Sequence, residues 1–307
     1  MNVSHKQSQA LISVALVFMG CLPTLAGATV VHSNTTQLRE GIFRYHYDTQ
    51  ITRCSCVLLI GVGTTMKVGD CDLLAAEIAR AREDLIVGII DHAPGNPIKL
   101  SANRFAKLAN AINAELKMLV PPCRKVPVDS KHRKPKILLG GHSASGGAAM
   151  RALTLLDFAP AGFVGLSPYR ITDNMRNITI SSLFWGFSKT TCGVDIGHAA
   201  DAAYSLSSPK SGRVLYQLQN PDDQPSHCIF ADNGCPICHS SDSEDYNWIR
   251  SAVGESVGKF IRAIETNTFR RAVFDLDVPT NQLMLFVNED YVVTLPSSNF
   301  AADGVII

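Results

Sequence analysis

Between residues 56 and 264 the chain alternates between two hydrophobic rhythms. Unbroken apolar runs lie at 56–60 (CVLLI), 85–90 (LIVGII), 136–139 (KILL), 162–166 (GFVGL) and 213–218 (RVLYQL). Runs of this length without polar alternation predict strands buried on both faces. The segments between them carry apolar residues at helical spacing. Residues 72–82 (DLLAAEIARAR) are rich in helix formers. Ser101 can cap a helix reaching about Leu119, with Phe105, Leu108, Ile112 and Leu116 on one stripe, until Pro121-Pro122 stops it. Ala144 to Leu156 predicts a helix of small residues, and Tyr246 to Ile264 a closing helix with Ile249, Val253, Val257 and Phe260 on its apolar face. Strands alternating with helices predict an α/β fold, with a mostly parallel central sheet and helices on both faces.

The flanks are less regular. Residues 41–47 predict an antiparallel edge strand. Residues 168–212 lack clear periodicity and are expected to form a small insertion or lid over the carboxyl end of the sheet. Phe184, Trp185 and Phe187 in that stretch serve either as an apolar pocket wall or as plain core. Two strand-like pieces, 281–287 and 290–295, have no assigned place. The expected organisation is a leader at 1–28, an α/β domain at 29–265 and a C-terminal extension at 266–307.

The leader reading rests on a weakly basic start (His5, Lys6), an apolar run from Ala10 to Gly20, a break at Pro23 and the small residues Ala26-Gly27-Ala28. That is the layout of a cleaved secretory signal peptide, and the run is short for a membrane span. The expected location is therefore extracellular, with no integral span after cleavage. Cleavage after Ala28 would remove Cys21 of nine cysteines and leave an even set, suggesting up to four disulfides in an oxidising compartment. Asn34-Thr35-Thr36 and Asn177-Ile178-Thr179 are sequons that a eukaryotic secretory route would glycosylate.

Composition narrows the function classes. The 307 residues carry 28 Lys+Arg against 27 Asp+Glu, which argues against nucleic acid or an anionic membrane surface as partner. Charged residues make up 18% and hydrophobic ones 46%, a balance that builds a full core.

The chemistry concentrates at Gly140-Gly141-His142-Ser143-Ala144-Ser145-Gly146-Gly147, between the 136–139 strand and a small-residue helix. Strand, Gly-x-Ser-x-small and helix is the context of a nucleophile elbow, which holds a serine in a strained turn above the sheet. Here the fifth position is Ser145 where the pattern has glycine. On this motif and the strand order around it, residues 41–265 resemble the α/β-hydrolase superfamily, in outline its dienelactone hydrolases, lipases, plastic-ester hydrolases and chlorophyllases.

The resemblance implies an α/β-hydrolase fold, Ser143 as nucleophile, and the chain order serine, acid, histidine. Asp223, in the loop after the 213–218 strand, is the implied acid, with Asp222 and then Asp195 behind it. His239, just before the closing helix, is the implied base, with His227 also within reach. The oxyanion donors would be the Ala144 amide and that of Val62 or Gly63. Neither cofactor nor metal is implied. The substrate would be a small-molecule or lipid-like ester, and oligomeric state is not readable.

Two rival readings use the Cys/His cluster at 227–239. Cys235-Pro236-Ile237-Cys238-His239 has the C-x-x-C-H form of a c-type haem attachment, and the cluster has ligand-like density for zinc. An exported chain favours disulfides there, which would pin the loop carrying His239. A non-catalytic binding protein on the same fold is the remaining alternative.

Overall fold

Four of the five apolar runs lie side by side at the centre of one mixed sheet, and the fifth is set one strand apart from them. A computed structural model describes residues 31–92, 101–124, 134–169, 179–187, 199–219, 227–232, 247–278 and 282–289. The runs form β3 (Cys56–Gly61), β4 (Leu85–His92), β5 (Lys136–His142), β6 (Gly162–Leu166) and β8 (Arg213–Leu218). With β1 (Val31–Gln37), β2 (Gly41–Asp48), β7 (Ser182–Phe187) and β9 (Leu283–Val287) they give a nine-stranded sheet ordered β1-β2-β4-β3-β5-β6-β7-β8-β9. The pairings from β4 to β8 are parallel, and those of β1, β2 and β9 are antiparallel.

Alternate side chains of the central strands point to opposite faces. Leu58 and Ile60 pack with Leu74 and Ile78 of α1 (Asp72–Arg80) and Val253 and Val257 of α6 (Asn247–Thr266). Val57 and Leu59 pack on the other face with residues of three further helices. These are Phe105 and Leu108 of α2 (Ala102–Leu119), Ala149 and Met150 of α4 (Ala144–Ala152), and Ala203 and Tyr204 of α5 (Ala199–Leu206). Helices on both faces explain why these strands show no polar alternation. Ser101 caps α2 by accepting from the Arg104 amide. Among the described residues, no helix is long and apolar enough to cross a membrane.

The structure departs from the sequence expectation in three places. β2 is not an edge strand, because β1 covers it; β1 is polar and mostly exposed, so it carries no hydrophobic signal. Residues 182–187, inside the expected insertion, form the fully buried β7. Phe184, Trp185 and Phe187 are therefore core rather than pocket wall: Trp185 stacks on Tyr216 at 4.7 Å and donates to the Ser256 hydroxyl at 3.0 Å. The piece at 281–287 finds its place as β9, paired with β8; 290–295 lies outside the described residues, as do the leader 1–28 and Asn177.

Two further ties matter below. Arg213, 4% exposed, donates to the carbonyls of Tyr204 (3.2 Å), Ser207 (3.0 Å) and Glu289 (2.9 Å), joining the end of α5, β8 and the chain after β9. Cys54 is bridged to Cys123 in the short helix α3 (Pro121–Arg124). Cys228 is also disulfide-bonded. Cys56 and Cys71 are free, buried thiols, so the eight cysteines do not all pair. Both sit in the apolar core, where burial pushes the Cys56 thiol up to about 12 and the Cys71 thiol up in the same sense.

Candidate active site

At the carboxyl end of β5 the backbone turns sharply into α4. Ser143, the residue between them, has φ 56° and ψ −130°, a region that residues with a side chain rarely adopt. The turn is fixed from the neighbouring strand: the Ser143 amide donates to the Leu166 carbonyl (3.2 Å), and its carbonyl accepts from the amides of Gly146 (2.9 Å) and Tyr169 (2.8 Å). Ser143 and Ala144 are partly exposed, while His142 and Ser145 on either side are buried.

Small residues are required around this turn by close approach. A Cβ on Gly141 would lie 2.6 Å from the Ser145 carbonyl, and one on Gly146 would lie 2.6 Å from Pro168 Cβ. Ser145 is itself small enough, and its hydroxyl donates to the Val62 carbonyl, tying the elbow to the loop after β3. In that loop the Val62 amide donates to the Ile90 carbonyl (3.2 Å) and is spent on it. The backbone of Gly63 runs against the elbow instead. A Cβ there would meet His142 Nδ1 and Met66 Sδ at 2.9 Å and Ser143 Cβ at 3.3 Å.

Two buried histidines stand behind the serine. His142 Nε2 lies 3.0 Å from the His227 carbonyl oxygen, which can only accept, so Nε2 carries the proton and Nδ1 faces Met66 Sδ at 3.2 Å. The His142 and His227 rings stack at 4.7 Å, and Phe230 meets His142 edge-on at 5.7 Å. Desolvation is the main cause that draws His142 down to about 4 and His227 well below the usual histidine range, so both are neutral near pH 7. His227 Nδ1 is 2.8 Å from the hydroxyl of Ser167, a buried residue with φ 43° at the end of β6.

The segment bearing His227 is tied down on several sides. Asp232 donates its amide to the Asp70 carbonyl (2.6 Å) and accepts the Leu73 amide (2.8 Å), closing on the start of α1. Arg250 of α6 donates to the Ala231 carbonyl at 3.0 Å.

The structure thus gathers Ser143, Ala144, Val62 and His227 around the ends of β3, β5 and β6. Asp195, Asp222, Asp223, His239, Cys235 and Cys238 lie outside the described residues. Ser167 is an addition that sequence reading did not supply, since a lone serine after a strand carries no signal of its own. Among the described residues, no group of three His, Cys, Asp or Glu side chains is arranged to hold a metal.

The chain matches no protein-family model and no curated protein.

Proposed function

We propose that the protein is a secreted serine hydrolase of the α/β-hydrolase type that cleaves carboxylic esters through an acyl-enzyme on Ser143. The observation that carries this reading is the backbone at Ser143: φ 56° at a strand-to-helix turn, with Ser143 and Ala144 partly exposed between the buried His142 and Ser145. That strain serves a purpose when the hydroxyl must project above the sheet. The strand order, with parallel strands from β4 to β8, is compatible with the superfamily.

In the proposed reaction Ser143 Oγ attacks the ester carbonyl as a histidine removes its proton. The carbonyl electrons move onto oxygen, and the tetrahedral oxyanion is held by two backbone amides. The Ala144 amide is one: it opens α4, where no intrahelical acceptor exists for it. With the Val62 amide engaged, Gly63 supplies the second. Collapse breaks the ester C–O bond, the alcohol leaves with the proton, and water releases the acid in a second cycle. The base comes from the segment between β8 and α6, which offers His227 and His239; the family order nominates His239, with Asp223 as the acid that orients it. The substrate class is a small-molecule or lipid-like ester. Cys228 being disulfide-bonded removes one thiolate from any zinc set in the same segment.

Labelling with a fluorophosphonate tests the proposal. Stoichiometric modification mapped to Ser143 is expected; a folded protein that takes no label overturns it.

A further inference from the structure

Among the described residues β1 is the last strand on its side of the sheet, with β2 on one flank and no strand on the other. Its outward groups follow from the turn that joins it to β2. Leu38 and Gly41 exchange both backbone hydrogen bonds, and the alternation of an antiparallel pair then turns the amides and carbonyls of Ser33, Thr35 and Gln37 away from β2. Such a row is a template for another strand, and sheets usually guard it with a charge, a proline, a bulge or a very short strand. β1 has none of these. Its seven residues, VHSNTTQ, hold no Lys, Arg, Asp, Glu or Pro, and they pair with Asp48 to Ile42 without an extra residue. Arg44 reaches the Thr35 hydroxyl from β2, but its guanidinium is bound to Asp72 on one face of the sheet.

What β1 does carry, at its centre, is the acceptor sequence Asn34-Thr35-Thr36, and Asn34 is exposed. Resting on the secreted part of the proposed function and not on its chemistry, we infer that Asn34 carries an N-linked glycan and that this glycan guards the free edge of β1. In the transfer, Asn34 Nδ2 attacks the anomeric carbon of a lipid-linked oligosaccharide diphosphate. The N–C bond forms, the C–O bond to the diphosphate breaks, Nδ2 gives up one proton, and the lipid diphosphate leaves. The modified side chain keeps the contacts it makes in the folded protein. Oδ1 remains a carbonyl oxygen and accepts the Thr35 amide at 2.8 Å. The N–H that stays on Nδ2 can donate to Tyr45 Oη, 3.2 Å away.

The position suits a guard. A strand added to this edge would lie about 4.8 Å from β1, with its side chains where the first sugars on Asn34 stand. Sugar and strand compete for the same space, so a glycosylated β1 stays an edge. Without the glycan the row is self-complementary. Antiparallel pairing of β1 with the β1 of a second copy satisfies Ser33, Thr35 and Gln37 of both chains about a twofold axis.

The test secretes the full chain from a eukaryotic host, once behind its own leader and once behind a leader of the host. Peptide mass, thermal unfolding, and molar mass by light scattering over a concentration series are measured. The wild-type protein is expected to carry sugar on the Asn34 peptide and to hold a constant molar mass. Thr36→Ala destroys the acceptor sequence. It is expected to unfold near the wild-type temperature and to rise to about twice the protomer mass or more with concentration. Thr35→Pro also destroys the sequence, but it puts a proline ring at an outward amide, where an edge strand tolerates it. It is expected to stay at constant mass without sugar, which a role of the glycan unrelated to the edge would not produce. An exported wild-type chain with a bare Asn34 overturns the inference. A constant mass in Thr36→Ala overturns the guarding role and leaves the modification. Export behind the host leader alone overturns the secreted reading, and the natural glycan with it, whatever the Asn34 peptide shows.

Discussion

Ser145 occupies the place where the elbow pattern has glycine, and its hydroxyl bonds the Val62 carbonyl. The bond links the turn that carries Ser143, the proposed nucleophile, to the loop proposed to supply an oxyanion donor. Ser145→Ala leaves that buried carbonyl without its donor and is expected to destabilise the protein by about 1–3 kcal/mol, measured by urea unfolding. It should also slow Ser143 labelling, because the Gly63 amide loses its brace. Gly63→Ala presses on the site more directly: the added methyl meets His142 Nδ1 and Met66 Sδ at 2.9 Å. Labelling should fall while the unfolding midpoint moves little, since the loop can shift away from the elbow. A wild-type rate in Gly63→Ala would remove that amide from the oxyanion site. At this scale the sharp strand-to-helix turn at Ser143 was legible, because the elbow is a local pattern. The sequence did not show Ser167, whose hydroxyl meets a histidine 60 positions away.

Elements were legible in proportion to how far burial marks them. β3, β4, β5, β6 and β8 are covered on both faces, so their apolar runs stand out. β1 has almost nothing to bury, and its place was missed. β7 was missed for another reason. Its core side chains are aromatic and follow two serines, which suits a pocket rim as well as a strand. The link from α5 to β8 is likewise invisible in the pattern, because an arginine reads as surface. Arg213 instead satisfies the carbonyls that end α5 and one beyond β9. Arg213→Met should cost about 3 kcal/mol in chemical unfolding, since several buried acceptors lose their donor at once. A cost below about 0.5 kcal/mol, the range of ordinary surface changes, would mean that water replaces it.

For the molecule as a whole, acid is the expected weakness. His46 and His142 are buried, and desolvation draws both from 6.5 down to about 4; His227 moves in the same direction. Their unfolded forms take up protons near pH 6.5, whereas the folded forms resist until about pH 4. Stability is therefore complete above pH 6.5 and declines as pH falls through that window. A pH series of thermal unfolding should show that decline, and a flat profile from pH 7 to 4 would contradict it. The Cys54–Cys123 bridge closes a separation of 69 residues, so replacing both cysteines by alanine should remove about 4 kcal/mol. The left-handed turn at Ser143 sets a different kind of limit. Glycine would occupy φ 56° without strain, so Ser143→Gly is expected to raise the melting temperature by about 2 °C while abolishing labelling. Directed evolution for heat resistance alone would then discard Ser143 early, and on the proposed function a thermostability screen of this chain needs turnover as a second criterion.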